Sequence, residues 1–500
     1  MPFPSHEPDI QFPSDLPIWT WLFDSQFSCL QSKGKSAIKG YRDSVTGQVL
    51  SYDEVKKAST FVSTALAYRY SIRPGDSIMI MSHNTIMYPI ALFAVLRIGA
   101  IISGAAPGYT VNEMVHVLEK SRAKFIFVDH DSADTSAAAA EIVGINRFNI
   151  VMLDGEKPSY TNLRDLYAFG ATRSLENQCP TWNFPVGQTA ADIMQLPVLL
   201  NQEVVIMKKF NMKDMLEATV KYRCNELWLV PPILVRLVND PIPKNCDLSF
   251  VKQFNTGAAP LLPEIIAKLA KAFPNAGIKQ GWGMTESASC ITSTPPKYLS
   301  YEYAHTVGVA VPGTVLKIID PASGKELGIG EQGEILAKGP QITMGYLSNE
   351  SATRETYDSD GFLHTGDLGA IDTEGLVTIH DRIKELIKVK GIGIAPTELE
   401  DLLLGHPLIH DCAVIGIPNL YAGEVPKAFV VLALPASPNS VTEHCKNIIE
   451  YVKARTIRPK WLDGGVEVLK EIPKSAAGKI LRRVLKDLEK RKIANEKRTL

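Results

Sequence analysis

The segment QGWGMTE, residues 280–286, carries three side chains that could together contact a nucleotide and its metal ion. Trp282 stands between two glycines, and an indole can stack on a purine. The Thr285 hydroxyl can hydrogen-bond a phosphate, and the Glu286 carboxylate can bind Mg²⁺. The segment therefore predicts a site for a nucleotide with its metal, and burial of Trp282 in the core is the alternative.

Two further segments offer groups that suit a ribose diol. Asp367 lies in the glycine turn HTGDLG, residues 364–369, where its carboxylate can accept hydrogen bonds. Arg382 lies in DRIKELIKVKG, residues 381–391, and its guanidinium can donate to the same diol or to a phosphate. Both also have a purely structural explanation, because Asp367 could cap its turn and Arg382 could pair with Asp381 or Glu385.

Small residues and one loop lysine complete the set. In NTGAAPL, residues 255–261, the side chains of Gly257, Ala258 and Ala259 leave backbone room for a flat group. In PKSAAGKILRR, residues 473–483, Lys479 follows small residues and could deliver a cation to an anion elsewhere in the protein. A solvated charge is the alternative for that lysine.

Three local patterns do not support a function. The GKS at 34–36 lacks the glycine of a phosphate-binding loop five residues earlier, where Cys29 stands. The GIGEQG at 328–333 opens no helix, so it predicts a hairpin turn rather than a dinucleotide site. The basic tail from Lys474 to Arg498 predicts a solvated helix face rather than a nucleic-acid patch.

Elements of alternating type must position these residues. Amphipathic segments such as TVNEMVHVLEKSRA, entered at Thr110, alternate with apolar strand-like segments such as KFIFVD. The segment HNTIMYPIALFAVLRIG also predicts a helix, with Asn84 or Thr85 as its cap. This alternation predicts an α/β fold with largely parallel sheets, in which ligands bind at the carboxyl ends of strands. Short strands from about residue 315 predict a β subdomain. We predict a large domain over 1–380, a hinge at 381–384 and a small α+β domain over 385–500.

Composition limits the possible partners and compartments. A formal net charge of −1 gives no global field for nucleic acid or an anionic membrane. Seven scattered cysteines suit a reducing compartment. The apolar stretch from Tyr88 contains Arg97, so no membrane span is predicted. No secretory signal is recognised at the start. We expect a cytoplasmic protein, with the peroxisome as the alternative because Arg-Thr-Leu at the end partly matches Ser-Lys-Leu. The oligomeric state is not predicted.

Taken together, the five motifs resemble the adenylate-forming (AMP-binding) superfamily, and most of all its 4-coumarate:CoA ligase-like branch. The resemblance implies an acyl-CoA ligase that uses ATP, Mg²⁺ and coenzyme A on a small-molecule carboxylic acid. In that chemistry the carboxylate attacks the α-phosphate of ATP, and coenzyme A then displaces AMP. Two positions depart from the branch: Trp282 replaces the more usual tyrosine, and Gly393 stands where a glutamine is usual.

The resemblance also implies residue roles. Lys479 would be catalytic in the first step by offsetting charge on the phosphorus, Thr285 would contact the α-phosphate, and Lys388 would be catalytic in the second step. Lys384 would be the hinge about which the small, mobile domain rotates. Glu286 would hold the metal, and Lys390 and Gly391 would lie at the coenzyme A site. The nucleotide-binding residues would be Gly257, Ala258, Ala259, Trp282, Gly283, Thr285, Asp367, Arg382 and Lys479.

One expected motif is missing. The family's Ser/Thr/Gly-rich loop ending in Pro-Lys-Gly, which cradles the outer phosphates of ATP, is not found before the strand-like ELWLVPP. The segment GQTAADIMQLPVLLNQEVVIMKKF, residues 187–210, skips it near Met194–Gln195, together with a segment that shapes the acyl pocket. A genuine deletion and a mis-joined exon are the two explanations.

Three other functions compete with the ligase. A catalytically impaired remnant could keep nucleotide or partner binding. A luciferase-type enzyme shares every motif, and nothing in the sequence favours it. A stand-alone adenylation domain is disfavoured by the KVKG segment at 388–391, which suits coenzyme A.

Overall fold

A computed structural model describes residues 2–5, 7, 16–26, 28, 30–31, 38–173, 196–240, 243, 246–257, 261, 263–390, 392–419, 421–434, 438–474 and 480–499. The chain divides into two compact units. We call residues 11–224 the first unit, and residues 1–10 together with 225–500 the second unit. The chain opens with strand β1 (Phe3–Pro4), which belongs to the second unit.

The first unit alternates strands and helices. Its strands are β2 (Gly40–Asp43), β3 (Val49–Ser51), β4 (Ser77–Met81), β5 (Ile101–Ala105), β6 (Ala123–Val128), β7 (Ile150–Met152), β8 (Thr161–Asn162) and β9 (Val204–Ile206). Its helices are α1 (Ile18–Phe23), α2 (Tyr52–Tyr68), α3 (Tyr88–Arg97), α4 (Val111–Ser121), α5 (Ala133–Val143), α6 (Leu163–Ala171), α7 (Leu196–Leu200) and α8 (Met212–Tyr222).

A parallel sheet of order β5-β4-β6-β7-β8 forms the centre of the first unit. Both faces of this sheet are buried. Ile78 and Phe125 belong to one apolar cluster, and their neighbours Met79 and Ile126 belong to another. Strand side chains alternate between faces, so helices covering both faces require strands that are apolar throughout. The expected parallel α/β layer is therefore confirmed.

The second unit contains more strand than the first. Its further strands are β10 (Glu226–Trp228), β11 (Gln253–Thr256), β12 (Gly277–Trp282), β13 (Thr292–Ser293), β14 (Val309–Ala310), β15 (Val315–Ile319), β16 (Gly333–Lys338), β17 (Leu363–Ile371), β18 (Val377–Arg382), β19 (Ile387–Val389), β20 (Ile392–Ile394), β21 (Ile409–Asn419), β22 (Gly423–Leu432) and β23 (Val466–Val468). Its helices are α9 (Pro231–Asn239), α10 (Pro263–Ala272), α11 (Glu350–Thr356), α12 (Pro396–Leu404), α13 (Pro438–Lys453) and α14 (Arg482–Thr499).

Three sheets organise these strands. One has the order β10-β11-β12-β13-β14, parallel from β10 to β12 and antiparallel beyond. An antiparallel sheet of order β1-β15-β16-β17-β18 confirms the short-stranded β subdomain. A third sheet, β20-β19-β22-β21 with β23 beside β22, packs with α12 and α13 around a buried cluster that includes Leu399, Val414 and Ile448. The boundary predicted at 381–384 stays a prediction.

Most local predictions hold, and two need correction. Helix α4 starts after Thr110, whose side chain forms a capping box with Glu113. The GIGEQG segment connects antiparallel β15 to β16, with Gly330 at φ +78°, so the hairpin turn is confirmed. The strand predicted for ELWLVPP ends at Trp228, and Pro231 starts α9 because proline fits the first turn of a helix. Helix α3 begins after Met87, not at the predicted caps Asn84 or Thr85.

Candidate active site

Strand β12 delivers Trp282 to the carboxyl end of a parallel strand. Ile278, Gln280 and Trp282 alternate with more accessible residues along β12 and are all buried. The Gln280 amide donates to the carbonyls of Ala304 (2.6 Å) and Thr306 (3.0 Å), which fixes the strand on its inner side. Because the carboxyl ends of parallel strands are the usual ligand edge of such sheets, this placement supports a site here.

Trp282 and Asp367 are in direct contact. The indole Nε1 donates to Asp367 Oδ2 at 2.8 Å, and both residues are buried, with 8% and 5% of their surface exposed. The ring itself packs in an apolar cluster that includes Ile291 and Val307. Trp282 is therefore a core residue whose single polar atom points at a predicted ribose ligand. Stacking of the ring on a purine stays a prediction.

Asp367 and Arg382 meet because their strands pair. They are direct partners in the antiparallel register of β17 and β18. Arg382 Nε lies 3.3 Å from Asp367 Oδ1, with the arginine side chain half exposed. The partner of Arg382 in this ion pair is thus Asp367, rather than Asp381 or Glu385 as the alternative supposed. The structure brings together two residues that the sequence assigned to one diol.

Thr285 and Glu286 lie in a short 3-10 turn directly after β12. Ser287 closes this turn, because its Oγ accepts from the Met284 amide at 2.9 Å. The Thr285 side chain is exposed and Glu286 is partly buried. The Tyr346 hydroxyl donates to Glu286 Oε1, and that hydrogen bond raises the pKa of Tyr346 above its ordinary value. Tyr346 was missed from the sequence, because nothing in its local pattern connects it to a residue so distant in the chain.

Two glycines of the predicted site allow close approach of backbone. A Cβ on Gly283 would lie 1.8 Å from the Ser289 carbonyl oxygen, and one on Gly257 would lie 2.8 Å from that of Gly281. Neither distance is tolerable, so a side chain on Gly283 would displace the turn that carries Thr285, and a side chain on Gly257 would displace β12. Ala258 and Ala259 lie outside the described residues.

The lysines predicted for the hinge and for coenzyme A are all exposed. Lys384 lies in the 3-10 turn Ile383–Glu385, and Lys388 points outward from β19. Lys390 has a left-handed backbone, φ +50°, and its amide donates to the Ala422 carbonyl at 2.7 Å. Their charges can therefore reach a ligand from solvent. Gly391 lies outside the described residues.

The segment that contains Lys479 is closed at its base. Lys474 and Ile480 form an isolated antiparallel bridge, and the Leu481 amide donates to the Pro473 carbonyl at 2.9 Å. Lys474 Nζ also pairs with Asp411 at 2.6 Å. Residues 475–479, including Lys479, lie outside the described residues, so the structure fixes where this segment starts and ends.

Just after this segment, Arg482 takes part in a buried ion pair that the sequence analysis did not predict. Arg482 pairs with Glu400 on α12, and its Nη1 lies 3.4 Å from a carboxylate oxygen of Glu385. Burial raises the pKa of Glu400 to about 7, although Arg482 opposes this. A signal existed, because Pro396, Leu399, Glu400 and Leu403 form the buried stripe of α12. A carboxylate inside an apolar stripe requires a partner.

The family follows from a comparison with known proteins. Residues 26–166 and 189–347 match the AMP-binding enzyme family, and residues 398–479 match the AMP-binding enzyme C-terminal domain. The chain belongs to the AMP-binding enzyme family. Curated relatives of this AMP-binding enzyme span nearly its whole length. It is 34% identical over 512 residues to the peroxisomal OPC-8:0-CoA ligase 1 of Arabidopsis thaliana, covering 91% of each chain.

A second relative agrees with this assignment, and two solved structures share the fold. The chain is 33% identical over 542 residues to 4-coumarate--CoA ligase 1 of Petroselinum crispum, covering 97% of this chain and 96% of the relative. Its fold is similar to that of an anthranilate CoA ligase, AuaEII, with anthranoyl-AMP (TM-score 0.82, 19% identity, 97% and 99% covered). It is also similar to ATP-bound MatB from Rhodopseudomonas palustris (TM-score 0.79, 22% identity, 95% and 99% covered).

Two further features belong to residues 11–224 of this AMP-binding enzyme. The expected phosphate-loop position at Met194–Gln195 lies outside the described residues, so its absence stays a prediction from sequence. A cavity of about 740 Å³ lies within the first unit, lined by residues such as Met87, Met152 and Tyr167. No candidate site residue that the structure describes is among the residues that line this cavity.

Proposed function

We propose that this AMP-binding enzyme is an acid–thiol ligase that joins a small-molecule carboxylic acid to coenzyme A and releases AMP. The observation that carries the proposal is the contact of Asp367 with both Trp282 and Arg382. A buried carboxylate that accepts from Trp282, the residue at the carboxyl end of β12, and that lies beside an exposed arginine suits a ribose diol. Relatives at 33–34% identity that are named CoA ligases support the same chemistry.

The first step activates the acid. A carboxylate oxygen of the acid forms a bond to the α-phosphorus of ATP, and the bond from that phosphorus to the pyrophosphate oxygen breaks. Asp367 and Arg382 hold the ribose, Thr285 contacts the α-phosphate, and Lys479 offsets charge as it grows on the phosphoryl oxygens. Fixed positive groups aimed at developing charge are usually the largest source of rate enhancement.

Glu286 is the residue that would hold Mg²⁺. Among the described residues, no group of three or more His, Cys, Asp or Glu side chains could form a metal site by itself. That fits magnesium in a nucleotide site, because it takes one or two carboxylates and completes its shell with phosphates and water. Bound there, the ion would neutralise phosphate charge, and Tyr346 would orient the Glu286 carboxylate through its hydrogen bond.

The second step transfers the acyl group. The thiolate of coenzyme A attacks the acyl carbon of the adenylate, a carbon–sulfur bond forms, and AMP leaves. Lys388, Lys390 and Gly391 serve coenzyme A, and the small domain rotates about Lys384 between the steps. The exposure of all three lysines supports this assignment, since the phosphates of coenzyme A need cations reachable from solvent.

The location in the cell is a separate proposal. Among the described residues, no helix has both the length and the apolar character needed to cross a membrane. We propose a cytoplasmic enzyme, with import into peroxisomes as the alternative, since one relative is named peroxisomal. Imaging of a fluorescent fusion with a free C-terminus separates the two.

The two half-reactions test the function separately. Acid-dependent pyrophosphate release with MgATP, in the absence of coenzyme A, reports the first step. Thioester formation after coenzyme A is added reports the second. A non-catalytic remnant gives neither signal, and a stand-alone adenylation domain gives only the first. The Lys470→Ala variant, which alters an exposed lysine near the same segment, is the matched control for loss of Lys479.

A further inference from the structure

We propose that Trp282 acts as a positioning residue that aims the Asp367 carboxylate at the ribose through its indole N–H. The inference deepens the proposed function and rests on it, because it takes Asp367 as the ribose ligand. In this role Trp282 acts through its indole N–H, in addition to any stacking of its ring on the purine. The group of the substrate that this contact would recognise is the ribose diol of the nucleotide, and the identity of the carboxylic acid does not matter.

The indole is held firmly enough to aim its partner. Trp282 belongs to a buried apolar cluster that includes Ile291, Val307 and Ala310, and 8% of the residue is exposed. Close packing fixes a ring of this size in one rotamer. The only polar atom of the side chain, Nε1, is directed at Asp367 Oδ2, 2.8 Å away. The direction of this donor is therefore set by the core.

Each carboxylate oxygen of Asp367 has a neighbouring nitrogen group. Trp282 contacts Oδ2, while Arg382 Nε lies 3.3 Å from Oδ1. The Asp367 amide donates to the Thr365 hydroxyl at 3.1 Å, which also anchors the backbone beneath the carboxylate. A carboxylate has about four acceptor positions, two on each oxygen. With one contact at each oxygen, the plane of the carboxylate is fixed before the ribose diol binds.

Tryptophan is suited to this task in a way that other aromatic residues are not. Phenylalanine has no donor, and the tyrosine hydroxyl projects from the far end of its ring rather than from the side. A buried carboxylate that loses one of its donors is less stabilised and less well oriented. The replacement of the family's more usual tyrosine by Trp282 therefore changes how the ribose ligand is held.

The test pairs a protein change with a ligand change. Calorimetry measures the binding of AMP and of 2′,3′-dideoxy-AMP, which lacks the diol, to the parent chain and to Trp282→Phe. The variant keeps an aromatic face and loses only the N–H. We expect AMP to bind about tenfold more weakly, the scale for a hydrogen bond to a charged group. Dideoxy-AMP should change less than about twofold, well below that scale.

A second tryptophan supplies the control. Trp228 lies on β10 of the sheet that carries Trp282, and it is 53% exposed. Trp228→Phe should leave the affinity for both ligands unchanged. If Trp282→Phe weakens both ligands equally, Trp282 acts by stacking or through the fold and the inference is wrong. If it changes neither, the N–H has no role and the inference is also wrong.

A measurement on the parent chain covers the case in which the variant does not fold. With ¹⁵N-labelled tryptophan, the Trp282 indole resonance is assigned as the one that moves in Asp367→Asn. AMP should shift this resonance and dideoxy-AMP should not. Equal shifts with both ligands, or no shift with AMP, overturn the inference.

The outcomes also separate this inference from the proposed function. A parent chain that binds no AMP overturns both. The positioning role is overturned if the parent chain binds AMP and dideoxy-AMP equally well. It is also overturned if Trp282→Phe keeps the parent's preference for AMP. In both cases the nucleotide site itself stays in place.

Discussion

Arg482 donates from Nη2 to both carboxylate oxygens of Glu400, at 2.8 Å each, inside the second unit. The Val414 amide donates to the same carboxylate at 2.8 Å. Arg482 lies three residues after Lys479, and Glu385, its other carboxylate neighbour, directly follows Lys384. The Arg482 guanidinium thus connects the end of the segment that contains Lys479 to the residue that follows the predicted hinge.

The stability of the second unit should depend on pH through Glu400. Burial raises the pKa of Glu400 from its ordinary 4.5 to about 7 in the folded chain. Between these values the folded chain holds a proton that the unfolded chain has lost. The stabilising contribution is therefore complete below about pH 4.5 and is lost as the pH rises through 7, by up to about 3 kcal/mol.

The Glu400→Gln variant tests this sign. Glutamine resembles the protonated acid and does not titrate, so the stability of the variant relative to the parent should increase from pH 5 to pH 8. Thermal unfolding at each pH measures the difference. Glu443→Gln, which alters an exposed carboxylate of α13 in the same unit, is the control for a Glu-to-Gln change as such. A relative stability that falls with pH would mean that the ion pair with Arg482 outweighs burial.

Replacement of Asp367 by alanine should weaken AMP binding by about 1.5–3 kcal/mol, the scale for hydrogen bonds to a charged group. The carboxylate is buried against Trp282 and Arg382, where it can accept from the ribose. Calorimetry with AMP measures the loss. Asp372→Ala removes a carboxylate that only caps the β17–β18 turn, through the amides of Glu374 and Leu376. Equal AMP affinity in the two variants would reduce Asp367 to a structural residue.

Lys479→Ala should impair only the first step. We propose that the lysine acts on the phosphoryl charge, so acid-dependent pyrophosphate release should fall by roughly 10²–10³-fold. Thioester formation from a supplied acyl-adenylate should stay near the parent rate, because that step involves no attack on phosphorus. Stopped-flow assays of each half-reaction measure the two rates, with Lys470→Ala as control. Equal damage to both steps would contradict the role of Lys479.

The sequence predicted most of the helices and strands, whereas contacts between residues far apart in the chain could not be predicted from it. Helix α4 was predictable because its period and its Thr110 cap are local. The pairing of Trp282 with Asp367 joins residues 85 positions apart, which no local pattern encodes. The start of helix α9 at Pro231 is also encoded locally, because proline favours the first turn of a helix. Glu400 was detectable as a carboxylate in an apolar stripe, although its partner Arg482 was not.

The predicted gap near Met194–Gln195 has a catalytic consequence. Backbone amides in a glycine-rich loop converge on phosphates without obstruction by side chains. We expect the 500-residue chain to bind AMP weakly, and to turn over at least ~10³-fold more slowly than a version with the family's loop inserted. Steady-state acyl-CoA formation by both chains measures the ratio. A kcat near the ordinary enzyme median of about 10 s⁻¹ in the 500-residue chain would contradict this prediction.

The attack of the acid on the α-phosphorus of ATP is the central claim, and oxygen transfer tests it most directly. The acid is labelled with ¹⁸O at both carboxylate positions and is incubated with MgATP and coenzyme A. The mass of the nucleotide product is then measured by mass spectrometry. The oxygen that bridges carbon and phosphorus in the adenylate leaves with AMP when the thiolate attacks the carbon. We predict AMP that carries one ¹⁸O atom for each thioester formed. Unlabelled AMP, or ADP with labelled phosphate, would contradict the account.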